Sequence, residues 1–240
     1  MQGSRLETWY QTPIGQEVAN VIDGIIREPL DHTFGQSILY LGDVVCDQWL
    51  NDSRIPFKII ASDTKLKATQ MLTAYDTLPL PERSVDLVIC AHALEHTHHP
   101  ETYLAELTRV LVPEGHMIII GFNPLSFWGA ARALHQVPAF HGRYFHRAGY
   151  VHYWLTEHGC HVYDQVSCVF RPPWVKGWRS LRVLETLGNM AGIFPGGLYV
   201  QFVRKETIQA IPIRPLFKYK TFVLGRQTAA PSAGRGVFSG

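Results

Sequence analysis

Short apolar runs alternate with amphipathic stretches along most of the chain. The clearest case begins with Val85–Cys90, a run short enough and rich enough in β-branched residues for a buried strand. Apolar residues then recur at helical spacing from Tyr103 to Leu111, and Met117–Gly121 is a second apolar run. The residues Pro113-Glu114-Gly115 lie between them and are expected to stop the helix. Strand, helix and strand within about forty residues predict a βαβ unit with two parallel strands.

The same periodicities predict the remaining elements. An amphipathic helix enters at Thr12-Pro13 and ends near Arg27, before Pro29. The other predicted strands are Ser37–Leu41, Phe57–Ser62, the weaker Met71–Ala74, His161–Phe170 and Leu198–Arg204. The other predicted helices are Phe127–Val137, Arg147–His158 and Gly177–Ala191. This alternation predicts an α/β fold, with a mostly parallel sheet, helices on both faces and antiparallel strands at one edge.

Composition narrows the class of protein. The chain has 240 residues, of which 46% are hydrophobic and 18% charged, as in a soluble globular protein with a substantial core. Its cysteines Cys46, Cys90, Cys160 and Cys168 have no C-x-x-C spacing. We therefore expect neither disulfides nor a thiolate zinc site, and reduced thiols in a cytoplasmic protein. The N-terminus lacks a signal-peptide pattern, and no apolar run reaches the roughly 18 residues of a transmembrane helix.

The charges are unevenly distributed. Residues 1–170 carry 11 Lys and Arg against 18 Asp and Glu, whereas residues 171–240 carry 11 against 2. Such an asymmetry is typical of a protein with an anionic partner, and an RNA or a membrane surface would both suit it. The cations and rings concerned are Trp174, Lys176, Trp178, Arg179 and Arg182. Alternatively, the basic segment packs against the acidic body of the protein.

A polar corner, His92-Ala93-Leu94-Glu95-His96, follows the Val85–Cys90 run and matches the zinc-protease pattern H-x-x-E-H. Such a motif needs a helix that presents both histidines on one face. The corner comes directly after a buried strand and four residues before Pro100, so no long helix can form and we expect no metal. His92 and His96 are candidate bases for a substrate that must lose a proton at neutral pH. A structural role remains open for either histidine.

The segments Leu78-Pro79-Leu80, Ser84-Val85-Asp86, Ala93-Leu94-Glu95-His96 and Arg109-Val110-Leu111 carry a family resemblance. Together they resemble the second half of a class I S-adenosylmethionine-dependent methyltransferase domain of the type 11 group. Glu114 stands where the family has the first glycine of a Gly-Gly pair. The resemblance implies a three-layer fold around a seven-stranded sheet and S-adenosylmethionine as cofactor. It does not name the methyl acceptor.

The resemblance also implies a cofactor turn after the first strand, with Gly42 and Asp43 as contacts. The family pattern there is roughly L-G-x-G-x-G, and it lets backbone amides approach the cofactor. In this chain the second and third glycines are replaced by Val44 and Cys46. A β-branched side chain at such a position is expected to close or reshape the site.

Four further cofactor contacts follow from the resemblance. Asp63, at the end of the second strand and 21 residues after Gly42, would accept the ribose hydroxyls. Its alternative role is to cap a helix that starts at Lys65. Asp76 would accept a hydrogen bond from the adenine amino group, or it is a plain turn aspartate. Ala91 and His92 would border both cofactor and acceptor, because ligands of open α/β sheets collect at the carboxyl ends of the strands.

These observations predict a methyltransferase-like domain over residues 1–206. Within it, residues 1–33 form an N-terminal helical cover, in which Trp9 and Tyr10 either serve as a lid or anchor the helix. Residues 123–145 form an insertion on the substrate side, and residues 207–240 a basic, Pro-containing tail that is partly disordered. The expected function is methyl transfer to a small molecule or another accessible nucleophile. The alternative is a non-catalytic binding protein with the same fold.

Overall fold

Seven strands form one sheet in the computed structural model, which describes residues 4–44, 47–51, 53–64, 68–173 and 196–206. The strands are β1 Ser37–Gly42, β2 Phe57–Ser62, β3 Met71–Leu72, β4 Val85–Ala91, β5 Leu111–Phe122, β6 Cys160–Cys168 and β7 Leu198–Lys205. Within the described residues their order is β3-β2-β1-β4-β5-β7-β6. The first five are parallel, and β7 runs antiparallel to both β5 and the edge strand β6. The predicted fold class is confirmed.

Helices cover both faces of the sheet, as the almost completely buried central strands β1 and β4 require. They are α1 Arg5–Tyr10, α2 Pro13–His32, α3 Asp47–Asn51, α4 Pro100–Val110, α5 Phe127–Ala133 and α6 Ala148–Glu157. Short 3₁₀ turns occur at Leu94–His96 and Pro138–Phe140. One core cluster joins residues of α1, α2 and α5 to one face of the sheet, and a second joins residues of α4 and α6 to the other. The three-layer arrangement predicted from the sequence is therefore present.

Helix α2 extends beyond its predicted end. We expected α2 to stop before Pro29, but it continues through Pro29 to His32. The extra turn buries Leu30 completely, one helical turn after the equally buried Ile26. In addition, the Thr33 hydroxyl donates to the Pro29 carbonyl at 2.7 Å, which satisfies one of the free acceptors at the helix end. Burial of Leu30 thus outweighs the hydrogen bond that a proline cannot make.

The connection from α4 to β5 is tighter than the sequence suggests. The strand begins at Leu111 instead of Met117, and its register against β4 shifts between Val85 and Leu87. Glu114 lies in this irregular part with a φ of 63°, where the family pattern has glycine. Its carboxylate pairs with Arg204 of β7 at 2.6 Å. The backbone therefore keeps the conformation that favours glycine although the side chain has changed.

Smaller differences concern element ends. Helix α5 ends at Ala133 instead of Val137, and β3 ends at Leu72 instead of Ala74. The predicted helix Gly177–Ala191 and the tail 207–240 lie outside the described residues, as do the cations proposed for an anionic partner. In the part of the chain that the structure describes, no helix is long and apolar enough to cross a membrane.

Candidate active site

The turn after β1 accommodates Val44 in place of the second glycine of the family pattern. A Cβ at Gly42 would lie 2.0 Å from the carbonyl oxygen of Ala91, so the glycine is required by the packing of β1 against β4. Val44 is 2% exposed and belongs to the core, and the Tyr40 hydroxyl donates to its carbonyl. The β-branched side chain therefore points into the protein and does not close the site. Cys46 lies outside the described residues.

Asp43, between Gly42 and Val44, is 2% exposed, and hydrogen-bond donors surround its side chain. Its Oδ2 accepts from the Arg143 guanidinium, from His96 Nε2 at 2.8 Å and from the Ser4 hydroxyl at 3.5 Å. Burial alone would raise the pKa of this carboxyl, but the His96 hydrogen bond and the Arg143 charge lower it to about 2. Its Oδ1 is buried without a hydrogen-bond partner among the described residues.

His96 bridges the ends of β1 and β2. Its Nδ1 lies 2.9 Å from Asp63 Oδ2, while its Nε2 contacts Asp43. Burial and Arg143 lower the pKa of the imidazole, but the two carboxylates outweigh them and raise it to about 9. The ring is therefore protonated at neutral pH and donates from both nitrogens. In this arrangement His96 is a hydrogen-bond donor and has no lone pair with which to accept a proton.

His92 belongs to a separate buried chain of polar groups. Its Nδ1 lies 2.9 Å from Glu95 Oε1, and its Nε2 lies 2.7 Å from the Tyr10 hydroxyl of α1. Glu95 Oε1 also accepts from the Phe122 amide at 2.9 Å. Because a carboxylate only accepts, Nδ1 carries a proton, and in the singly protonated ring Nε2 accepts from Tyr10. His92 is fully buried and has a φ of 60°, a conformation that is rare for a residue other than glycine.

The remaining predicted contacts lie around the same edge of the sheet. Asp63 is partly exposed and also accepts from the Thr64 hydroxyl at 2.8 Å. The helix that Asp63 was alternatively expected to cap starts in residues outside those described. Asp76 is exposed, and its charge, like that of Asp63, helps burial to raise the pKa of Tyr103. Ala91 is fully buried against Gly42.

A cavity of about 310 Å³ opens beside Asp43 and His96, at the lower end of the usual range for small-ligand pockets. Part of its wall comes from the predicted insertion 123–145, through Ala139, His141, Gly142 and Arg143. The Tyr144 amide donates to the Glu95 carbonyl at 2.8 Å and fixes this segment against the polar corner. The sequence did not single out Arg143, and no motif surrounds it that could have done so.

Two rival interpretations can be compared with this geometry. The H-x-x-E-H residues do not lie on one helix, since only Leu94–His96 form a three-residue 3₁₀ turn. Asp43, Asp63 and His96 offer ligand atoms within 4.8 Å of one another, as a metal site would. However, the Arg143 guanidinium contacts Asp43 Oδ2, and its positive charge disfavours a cation at this oxygen. The cluster is better described as an ion-pair network than as a metal centre.

Comparison with known proteins agrees with the architecture. A family model described as a methyltransferase domain matches residues 56–119. The uncharacterized protein YafS of Escherichia coli (strain K12) is 44% identical over 52 residues, which is 22% of each chain, so the chain spans about a fifth of the length of this curated relative.

Solved structures match over much more of the chain. A methyltransferase of Archaeoglobus fulgidus, dependent on S-adenosylmethionine, covers 78% of this chain and 94% of its own, with a TM-score of 0.52 and 14% identity. A possible histamine N-methyltransferase of Thermotoga maritima covers 85% and 100%, with a TM-score of 0.54 and 14% identity. A chain from the Haloferax volcanii complex with the Trm112 methyltransferase activator covers 86% and 100%, with a TM-score of 0.55 and 14% identity. The chain therefore has the fold of the class I S-adenosylmethionine-dependent methyltransferases, and residues 56–119 match their methyltransferase domain.

Proposed function

We propose that the chain is an S-adenosylmethionine-dependent methyltransferase that acts on a small molecule or another accessible nucleophile. The observation that carries this proposal is that Asp43 and Asp63 lie close together at the carboxyl ends of β1 and β2. Asp43 also lines the cavity. Ligands of open α/β sheets bind at this edge, and two acidic side chains suit the hydroxyl and ammonium donors of the cofactor.

The residues present fit such a cofactor. Asp43 Oδ1 is a buried acceptor with no partner among the described residues, and leaving such a group unsatisfied costs about 1–3 kcal/mol. A ligand ammonium group would remove this cost. Asp63 is more exposed, and its two oxygens, which lie beside Thr64 Oγ1 and His96 Nδ1, suit a pair of neighbouring hydroxyls. The bound cofactor supplies an already activated methyl group, so the protein mainly has to hold the acceptor in line with it.

The hydrogen-bonded series Tyr10, His92 and Glu95 is the best candidate for removing a proton from the methyl acceptor. Glu95 holds His92 with its Nδ1 protonated, which leaves Nε2 as the basic nitrogen. That nitrogen already accepts from Tyr10, so an acceptor proton would reach His92 through the Tyr10 hydroxyl or after this hydroxyl moves. We therefore assign His92 the role of base, with Tyr10 as its hydrogen-bond partner.

A non-catalytic binding protein is the second candidate function. It is favoured by one observation: His96 pairs with both Asp43 and Asp63, and Arg143 pairs with Asp43. In that case the ion pairs would stabilise the fold, and the site would have no affinity for the cofactor.

Isothermal titration calorimetry separates the two functions. We expect one S-adenosylmethionine to bind per chain, and Asp63→Ala to weaken binding by about 1–3 kcal/mol through loss of hydrogen bonds to a charged group. Asp164→Ala, which changes an exposed aspartate on the edge strand β6, is the matched control and should bind as the wild type does. Absence of binding to a folded wild-type protein would support the non-catalytic alternative, and unchanged affinity of Asp63→Ala would remove Asp63 from the site.

A further inference from the structure

One histidine occupies the space between the two acidic residues that would hold the cofactor. His96 reaches Asp43 through Nε2 at 2.8 Å and Asp63 through Nδ1 at 2.9 Å. The edge of its ring contacts Tyr75, with ring centroids 5.6 Å apart, so the ring is held from a third side. The imidazole therefore occupies the Oδ2 atom of both carboxylates and the space between them.

The charges around His96 come from several elements. Asp43 faces it from the end of β1, Asp63 from the end of β2, and Arg143 from the segment after the Pro138–Phe140 turn, at 3.4 Å. Glu95 lies 3.9 Å from the same guanidinium. Arg5 and His141 line the cavity beside this group. The contacting set therefore contains three carboxylates and one guanidinium, and protonated His96 brings a second positive charge.

We propose that His96 is a specificity-determining residue, which bridges Asp43 and Asp63 in the cofactor site and gives way to a ligand of net positive charge. This inference rests on the proposed function. S-adenosylmethionine carries a sulfonium charge, whereas the thioether product S-adenosylhomocysteine does not. Exchange of the imidazolium for the sulfonium ligand keeps the charge balance of the three carboxylates. Exchange for the thioether leaves the carboxylates with one positive charge fewer, which is costly for the buried Asp43 and Glu95.

A proton is coupled to this exchange. The pKa of His96 is about 9 while it bridges the two carboxylates, and a displaced histidine returns towards its ordinary value of 6.5. The proton stabilises the form in which His96 bridges the two carboxylates. Binding of S-adenosylmethionine therefore releases this proton at pH values between 6.5 and 9. Its affinity for the wild-type protein should rise with pH over that window and level off above it. Between about pH 7 and 8.5 these pKa values correspond to a rise of roughly 20-fold.

Calorimetry in buffers of different ionisation enthalpy measures the proton directly. At about pH 7.5 we expect the wild type to release roughly 0.9 proton more than His96→Gln when S-adenosylmethionine binds. The ligand's own amino group titrates near pH 8, but it contributes equally to both proteins and cancels in the difference. His96→Gln should also bind at least about tenfold more tightly, with no His96-dependent pH profile. His99→Gln changes an exposed histidine of the same loop and should behave as the wild type.

Proton NMR of the histidine rings gives a second readout that needs no variant in the cofactor site. The His96 signal should titrate near pH 9 in the free protein, move towards 6.5 with saturating S-adenosylmethionine, and remain high with S-adenosylhomocysteine. Equal proton release in wild type and His96→Gln, or a His96 titration that the sulfonium ligand leaves unchanged, overturns the inference alone. Failure of both proteins to bind overturns the proposed function, and the inference with it.

Discussion

The role of Gly42 gives a sharp test of how the site is built. An alanine Cβ at this position would lie 2.0 Å from the Ala91 carbonyl oxygen and 3.0 Å from its carbonyl carbon, both of them backbone atoms of the neighbouring central strand. Backbone atoms cannot rotate away, so β1 and β4 would have to separate at the edge that carries the site. Overpacking of a core costs typically about 1–3 kcal/mol, and we expect Gly42→Ala to reach the upper end of this range.

Gly24 provides the matched control. It lies within α2, and a Cβ there meets nothing within 4 Å. Gly24→Ala should therefore stabilise the protein by about 0.5–1 kcal/mol, the usual gain for alanine over glycine in a helix. Urea unfolding followed by circular dichroism measures both free energies of unfolding. If Gly42→Ala were as stable as the wild type and lost only cofactor affinity, the glycine would serve the ligand and our packing argument would be wrong.

Three other changes test separate parts of the structure. Glu114→Gly should be more stable to urea than Glu114→Ala by about 1 kcal/mol, because only glycine relieves the positive φ; equal stability would contradict the strain. Tyr10→Phe leaves His92 Nε2 buried without its partner, so we expect a loss of about 1–3 kcal/mol in the free energy of unfolding, measured by urea titration; unchanged stability would contradict this hydrogen bond. Because the pKa of His96 is raised to about 9, its contribution to stability is complete below pH 6.5 and is lost as pH rises through 9. The urea midpoint of the wild type should fall over that range and that of His96→Gln should not, and parallel profiles would show that His96 is not the group responsible.

Sequence periodicity was sufficient for the parts of the fold that local apolar runs determine. The strands β2 and β4 and the position of α4 follow from such runs, and the polar corner after β4 follows from them in turn. The end of α2 was missed because a tertiary contact, the burial of Leu30, overrides the local effect of Pro29.

The site was only partly accessible to the same reasoning. Strand order brings Asp43 and Asp63 to one edge, and this could be anticipated from the resemblance to the family. Their partners could not be, since Arg143 lies 100 residues from Asp43 and Tyr10 lies 82 residues from His92. Likewise, the sequence shows a valine at the position of the second glycine, but only packing decides that Val44 turns into the core.

The central claim is that Asp43 and Asp63 hold an S-adenosylmethionine molecule. A crystal structure of the protein grown with this cofactor tests it most directly, at a pH near 9 where His96 gives up its proton. We expect ribose hydroxyls on Asp63, an ammonium group on Asp43 Oδ1, and His96 moved out of the space between them. Density for the cofactor elsewhere, or an unliganded site with His96 still bridging both carboxylates, would contradict this account.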